Sequence, residues 1–258
     1  MDKPSSFRQR MDNCSKNKNS KIVLALDPLQ RDDLIEFVKM VINLVEKHIC
    51  AIKINFHLIL PLSLSQMSEI NDLAHSYGLQ SIADIKLNDI PKTNEIAIEY
   101  LLKMGFDAII VNPFMGKEAL QSATSQAHQK NGGIIALVYM SHPGAKEGFG
   151  RTVINHNDHR DQYKSNNRIT MMYKVFLEYA YACHVDGMVV GATKVDILKE
   201  ISSEKQIPIY SPGFGTQGGD IQEAAKNGTD YFIIGSSIIC SNNPLNVIEE
   251  IRRQISCV

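Results

Sequence analysis

Residues 81 to 111 read SIADIKLNDIPKTNEIAIEYLLKMGFDAIIV. The runs SIADI and DAIIV are short and rich in β-branched residues, as strands are, and EIAIEYLLKMG between them has the apolar spacing of a one-faced helix. Gly105 stands where that helix is expected to end in a left-handed cap. One strand, one helix and a second strand therefore form the unit from which the rest of the chain is read.

The unit recurs from end to end. Strand-like runs are KIVLAL (21 to 26), AIKIN (51 to 55), SIADI (81 to 85), DAIIV (107 to 111), GIIALVY (133 to 139), DGMVV (186 to 190), IPIY (207 to 210) and YFIIG (231 to 235). Helix-length segments separate them, for example DDLIEFVKMVINLVEKH after the first, and Gly228 marks a second expected helix end. Eight strands alternating with helices predict a parallel sheet. An open doubly wound sheet is the rival arrangement. The chain has 258 residues, close to the roughly 250 of a closed (β/α)8 barrel, and no GxGxxG follows its first strand, so the α/β (β/α)8 TIM barrel is the expectation.

Residues 21 to 258 are expected to form that single barrel domain, with residues 1 to 20, MDKPSSFRQRMDNCSKNKNS, as a frayed N-terminal tail. The tail lacks the apolar core of a signal peptide, and no run approaches the ~20 apolar residues of a membrane span, which points to the cytosol. A formal net charge of −1 and no basic stripe interleaved with aromatics argue against nucleic acid as a partner. The five cysteines, Cys14, Cys50, Cys183, Cys240 and Cys257, are odd in number and scattered, so they read as reduced thiols. The eight histidines show no metal-ligand spacing. One connection, residues 141 to 168 after the fifth strand, is long for a barrel loop and reads as a mobile lid or a solvated insertion.

Barrel enzymes place their chemistry at the C-terminal ends of the strands. Asp27 closes the first strand, Lys53 lies within the second, Asp84 and Lys86 end the third with Asp89 just beyond, and Ser141 and His142 follow the fifth. Each has a plainer reading: Asp27 as a cap before Pro28, Lys53 reaching out to solvent, Asp84 and Lys86 as a structural ion pair. Two ammoniums and three carboxylates at one mouth would be a costly scaffold, which favours function. The glycine-rich SPGFGTQGGD (211 to 220) and GSSIICSNNP (235 to 244) follow strands seven and eight, where such barrels cradle phosphate.

LALD, AIKIN, ADIKLNDIPKTN, MSHPG, SPGFGTQGGD and IIGSS together resemble the orotidine 5′-phosphate decarboxylase family over nearly the whole chain from residue 21. The resemblance implies decarboxylation of orotidine 5′-phosphate to UMP without metal or organic cofactor, by a homodimer. It implies that Asp27 binds the ribose hydroxyls, that Lys53, Asp84 and Lys86 form a charged network with Lys86 as proton donor, and that Asp89 and Thr93 serve the partner subunit's site. Ser141 would bond the pyrimidine and Pro212 line its pocket, while Gln217, Gly235 and the backbone of Ser236 meet the phosphate. The chain departs from the family in having GSS where GRS is usual. Ser236 in place of arginine implies a weaker phosphate grip, with Lys146 and Arg151 as candidates to supply the missing charge. The alternatives are a Mg2+-dependent sugar-phosphate decarboxylase or aldolase of the same superfamily, which shares the DxKxxD strand, and a noncatalytic nucleotide-phosphate binding protein.

Overall fold

The computed structural model describes residues 5–27, 31–155, 168–215 and 217–256. Helix α1 (Phe7–Lys18) precedes β1 (Ile22–Leu26), and α2 (Leu34–Val45) leads to β2 (Ala51–Asn55). The one-turn α3 (Phe56–Ile59) and α4 (Leu64–Ser76) lead to β3 (Gln80–Leu87), α5 (Pro91–Lys103) to β4 (Ala108–Val111), and α6 (Lys117–Gln129) to β5 (Gly133–Tyr139). Strands β6 (Thr152–Asn155) and β7 (Arg168–Met171) follow, then α7 (Met172–Ala182), β8 (Gly187–Val190), α8 (Val195–Ser203) and β9 (Ile209–Pro212). The chain continues through α9 (Ile221–Lys226), β10 (Tyr231–Ile234), α10 (Ser236–Ile239) and α11 (Pro244–Ser256).

Eight of these strands close into a barrel in the order β1-β10-β9-β8-β5-β4-β3-β2. Every neighbouring pair is parallel, as a strand-helix repeat requires. Every residue of β1, β4, β5, β8 and β10 is buried, because helices cover the outer face while side chains fill the interior. That two-sided burial is why these strands read as unbroken apolar runs rather than alternating ones.

A repeated device fastens the N-terminal end of the barrel. Asp107, Asp186 and Asp230 each stand immediately before a strand, and each accepts a backbone N–H from a neighbouring one: Ser81 at 2.8 Å, Ile134 at 2.8 Å and Ile209 at 2.9 Å. A side-chain donor completes each carboxylate, His75 Nε2 and His128 Nε2 at 2.9 Å and Lys205 Nζ at 2.8 Å. N–H groups without ladder partners are thereby satisfied at the edge of the core.

The N-terminal segment is not a frayed tail over residues 5 to 19. Ser6 and Gln9 form a reciprocal capping box, and Phe7, Met11 and Cys14 fall on one helical face and are all buried. Helix α1 closes the bottom of the barrel: the Phe7 ring fills space that a Cβ on Gly133 would enter at 2.5 Å. Arg10 bonds Gln80 at 2.9 Å and Asp107 at 3.2 Å, and the Tyr231 hydroxyl donates to Asp12 at 2.9 Å. Three apolar residues in a polar stretch are too few to announce a helix by composition, but their spacing and the cap are sufficient once the barrel offers a surface to cover.

The connection after β5 is neither wholly lid nor wholly solvated insertion. Residues 143–147 form a 3-10 turn with Ala145 buried, and Phe149 is buried against Tyr139, Phe114 and Phe176. Beyond it β6 and β7 pair antiparallel, with Ile154 opposite Ile169. The remainder of that segment lies outside the described residues.

Candidate active site

The C-terminal mouth of the barrel holds a cavity of about 330 Å³. Three consecutive strands supply its charge. Lys53, in the interior of β2, is buried, and its Nζ lies 2.8 Å from Asp84 Oδ2 and 3.6 Å from Asp27 Oδ1. Lys86 donates from the opposite side to Asp84 Oδ1 at 2.7 Å. One carboxylate is thus clasped by two ammoniums, one on each oxygen. Burial alone would push the Asp84 carboxyl up, but the Lys53 and Lys86 charges outweigh it and hold the group below the usual carboxylate range.

Lys86 does not reach Asp84 by simple alternation along a strand. The β3–β4 register shifts between Ala83 and Leu87, and Lys86 has φ 48°, in the left-handed region. A non-glycine residue there costs about 1 to 2 kcal/mol, and such strain concentrates where geometry serves chemistry. The bulge turns the Lys86 chain over the cavity mouth, where its side chain remains 35% exposed and within reach of a ligand.

The opposite wall is built by close backbone approaches. A Cβ on Gly191 would lie 2.5 Å from Ser141 Cα, and one on Gly213, at φ 107°, would lie 2.8 Å from Ser141 Cβ and 3.1 Å from Gln217 Oε1. These glycines let the loops after β8 and β9 press Ser141 and Gln217 toward the cavity, which both line with Pro212. Gly235 and Ser236, from the turn after β10, complete the rim. A Cβ on Gly235 would meet Ala25 O at 3.1 Å, so that position is also closely fitted.

Asp27, Lys53, Asp84, Lys86, Ser141, Pro212, Gln217, Gly235 and Ser236 therefore converge on one cavity. Asp89 and Thr93 do not: both are exposed, and the Asp89 carboxylate caps its own turn by accepting from Ile90 N at 2.7 Å. Lys146 and Arg151 are exposed in the connection after β5 and do not line the cavity. Sequence reasoning overlooked Asn55, which lines the cavity and whose side chain accepts from Phe56 N at 2.6 Å to start α3. It also overlooked the apolar floor of Ile110, Leu137, Val189 and Ile233, which periodicity assigns only to the core. Among the described residues no group of three or more His, Cys, Asp or Glu could hold a metal ion, and no helix is long and apolar enough to cross a membrane.

Known proteins are similar to this chain in sequence and in architecture. A model of the orotidine 5′-phosphate decarboxylase / HUMPS family matches residues 20–251. The orotidine 5′-phosphate decarboxylase of Thermococcus kodakarensis is 32% identical, over 92% of this chain and 98% of its own. That of Thermoplasma volcanium is 34% identical, over 88% of this chain and 89% of its own. The crystal structure of the Methanocaldococcus jannaschii orotidine 5′-monophosphate decarboxylase complexed with inhibitor BMP superposes with a TM-score of 0.75 at 29% identity, covering 92% of this chain and 98% of that one. With a match that spans all eight barrel strands and the whole cavity, the chain belongs to the orotidine 5′-phosphate decarboxylase / HUMPS family.

Proposed function

We propose that this protein converts orotidine 5′-phosphate to UMP and CO2, and that it does so without metal or organic cofactor. The observation that carries the reading is the clasp of Asp84 by Lys53 and Lys86 beside an apolar floor, facing the glycine-backed wall of Ser141 and Gln217. Breaking the bond from C6 to the carboxylate leaves its electron pair on C6, in an orbital that the ring cannot delocalise. An ammonium held in place beforehand stabilises that charge at no reorganisation cost. Lys86 then gives its proton to C6 as general acid, and regains one from solvent after UMP leaves. Asp84 keeps Lys86 aimed, and Lys53 holds Asp84 in turn.

The remaining roles follow the family pattern. Asp27 takes the ribose hydroxyls, Ser141 and Pro212 the base, and Gln217, Gly235 and the Ser236 backbone the phosphate. Ser236 offers a neutral bond of about 1 kcal/mol where arginine would offer a charge-assisted one of roughly 1.5 to 3. The phosphate grip is correspondingly looser.

The working form is a homodimer in which Asp89 and Thr93 enter the partner's site. Supporting this, Phe56, Leu60, Leu64, Ile90, Ile96 and Tyr100 are exposed apolar residues on α3, α4 and α5 or at their ends, the rim that carries Asp89 and Thr93. A surface of that kind marks an interface. The buried free thiols Cys14, Cys50 and Cys183 are consistent with a reducing, cytosolic setting.

Orotidine 5′-phosphate consumption followed with and without EDTA tests the reading, with equal rates expected. Activity lost in EDTA and restored by Mg2+ would overturn the metal-free reading. Tight UMP binding with no turnover would leave a noncatalytic binding protein.

A further inference from the structure

Asp27 is held less firmly than its neighbours in the charged network. Its Oδ1 is buried and has no hydrogen-bond partner among the described residues. Lys53 Nζ stands 3.6 Å away but is committed to Asp84 at 2.8 Å and is itself buried, so it has little freedom to close the gap. His57 Nε2 also lies 4.0 Å from the same oxygen, and its side chain is 49% exposed. A buried carboxylate oxygen left without a donor carries a desolvation cost that a small side-chain shift would remove.

Local structure explains why His57 is there. Asn55 ends β2 and caps the single turn of α3, so the chain reverses at the cavity rim and the second residue of that turn faces the end of β1. A histidine Nε2 carrying its proton is a donor in both the neutral and the charged ring. Asp27 has a second oxygen: Oδ2 lies on the side of Gly235, 3.6 Å from where a Cβ on that residue would stand. The two oxygens are therefore available for two different tasks.

We propose that His57 is a positioning residue for Asp27. With ligand bound, His57 Nε2–H donates to Asp27 Oδ1 and fixes the carboxylate, so that Oδ2 accepts from the ligand's vicinal ribose hydroxyls. This rests on the proposed function, because it takes a ribonucleotide as the ligand. His57 touches no reacting atom, so it acts on ground-state and transition-state binding alike: KM and Kd carry its contribution and kcat does not.

UMP affinity by calorimetry and steady-state kinetics with orotidine 5′-phosphate on the intact protein test this in His57→Ala, His57→Gln, Asp27→Ala and the double variant His57→Ala/Asp27→Ala. His57→Ala should weaken UMP binding and raise KM on the order of fivefold, the worth of one hydrogen bond, with kcat unchanged. His57→Gln, whose amide can donate from a similar place, should recover most of the loss. The double variant should bind no worse than Asp27→Ala alone, because the contribution passes through Asp27. Unchanged affinity in His57→Ala, a fall in kcat, or additive losses in the double variant would overturn the proposal. Wild-type protein that neither binds UMP nor consumes orotidine 5′-phosphate would overturn the functional reading, and this inference with it.

Discussion

Lys86 meets the Asp84 carboxylate at 2.7 Å from a left-handed backbone position inside a β-bulge. The contact and the strain belong together, since a lysine in ordinary extended backbone would follow the strand rather than lean over the mouth. Replacing Lys86 by alanine or by glycine should abolish turnover in both cases, because each removes the stabilising charge and the proton. Their stabilities should separate in the reverse of the usual order. Glycine accepts φ 48° without a Cβ clash, so Lys86→Gly should be more stable than Lys86→Ala by about 1 kcal/mol in urea unfolding. Equal stabilities would mean that position 86 is unstrained, and residual turnover in either variant would move the acid elsewhere.

The barrel's lower rim gives a prediction with a defined sign. His128 bonds Asp186, and that hydrogen bond raises the imidazole pKa above its ordinary 6.5 against the opposing effect of burial; His75 is raised in the same way by Asp107. A folded-state pKa above the unfolded one means that the fold binds the proton more tightly. The stabilisation is therefore complete below about pH 6.5 and is lost as pH rises through the folded values. Thermal melting of wild type and of His75→Gln/His128→Gln should differ more at about pH 5.5 than at about pH 8.5. A gap that is constant or widens with pH would show that the imidazoles fold uncharged.

The proposed shared-site dimer makes a prediction that no single variant makes. Asp27→Ala and Asp89→Ala should each be inactive. In a mixed dimer one site collects both lesions and the other neither, so random mixing should restore about one quarter of the wild-type sites. Subunits that demonstrably exchange yet stay inactive would confine Asp89 to its own subunit, where its carboxylate already caps Ile90 N.

How much of this was legible in advance depends on whether a residue type announces its environment. All eight barrel strands were legible because helices cover their outer face and packed side chains fill the barrel interior, leaving continuous β-branched runs. Gly105 and Gly228 were legible as helix ends, and their φ of 89° and 97° show why glycine is there. Lys86 was legible as a charge and not as a left-handed residue, because lysine is not a type that signals positive φ. The β6–β7 pairing was hidden because Ile154 and Ile169 sit opposite each other yet both face outward, so no burial pattern marks them. His57 was hidden because its value comes from an oxygen thirty positions away in the chain.

Helix α1 is the largest departure from expectation, and it can be weighed directly. Phe7 is 1% exposed and lies over Gly133, the first residue of β5, at the end of the barrel opposite the cavity. Truncating a buried phenylalanine leaves a cavity as well as lost apolar burial, at a cost of about 3 to 5 kcal/mol. Phe7→Ala should therefore lower the urea midpoint with an unchanged slope, the signature of lost stability without a changed unfolded state. Turnover measured well below the midpoint should match wild type, because nothing in α1 lines the cavity. A segment that frayed into solvent would show no change in the midpoint at all. A fall in turnover without a fall in stability would mean instead that the lower rim is coupled to the charged mouth through the barrel strands.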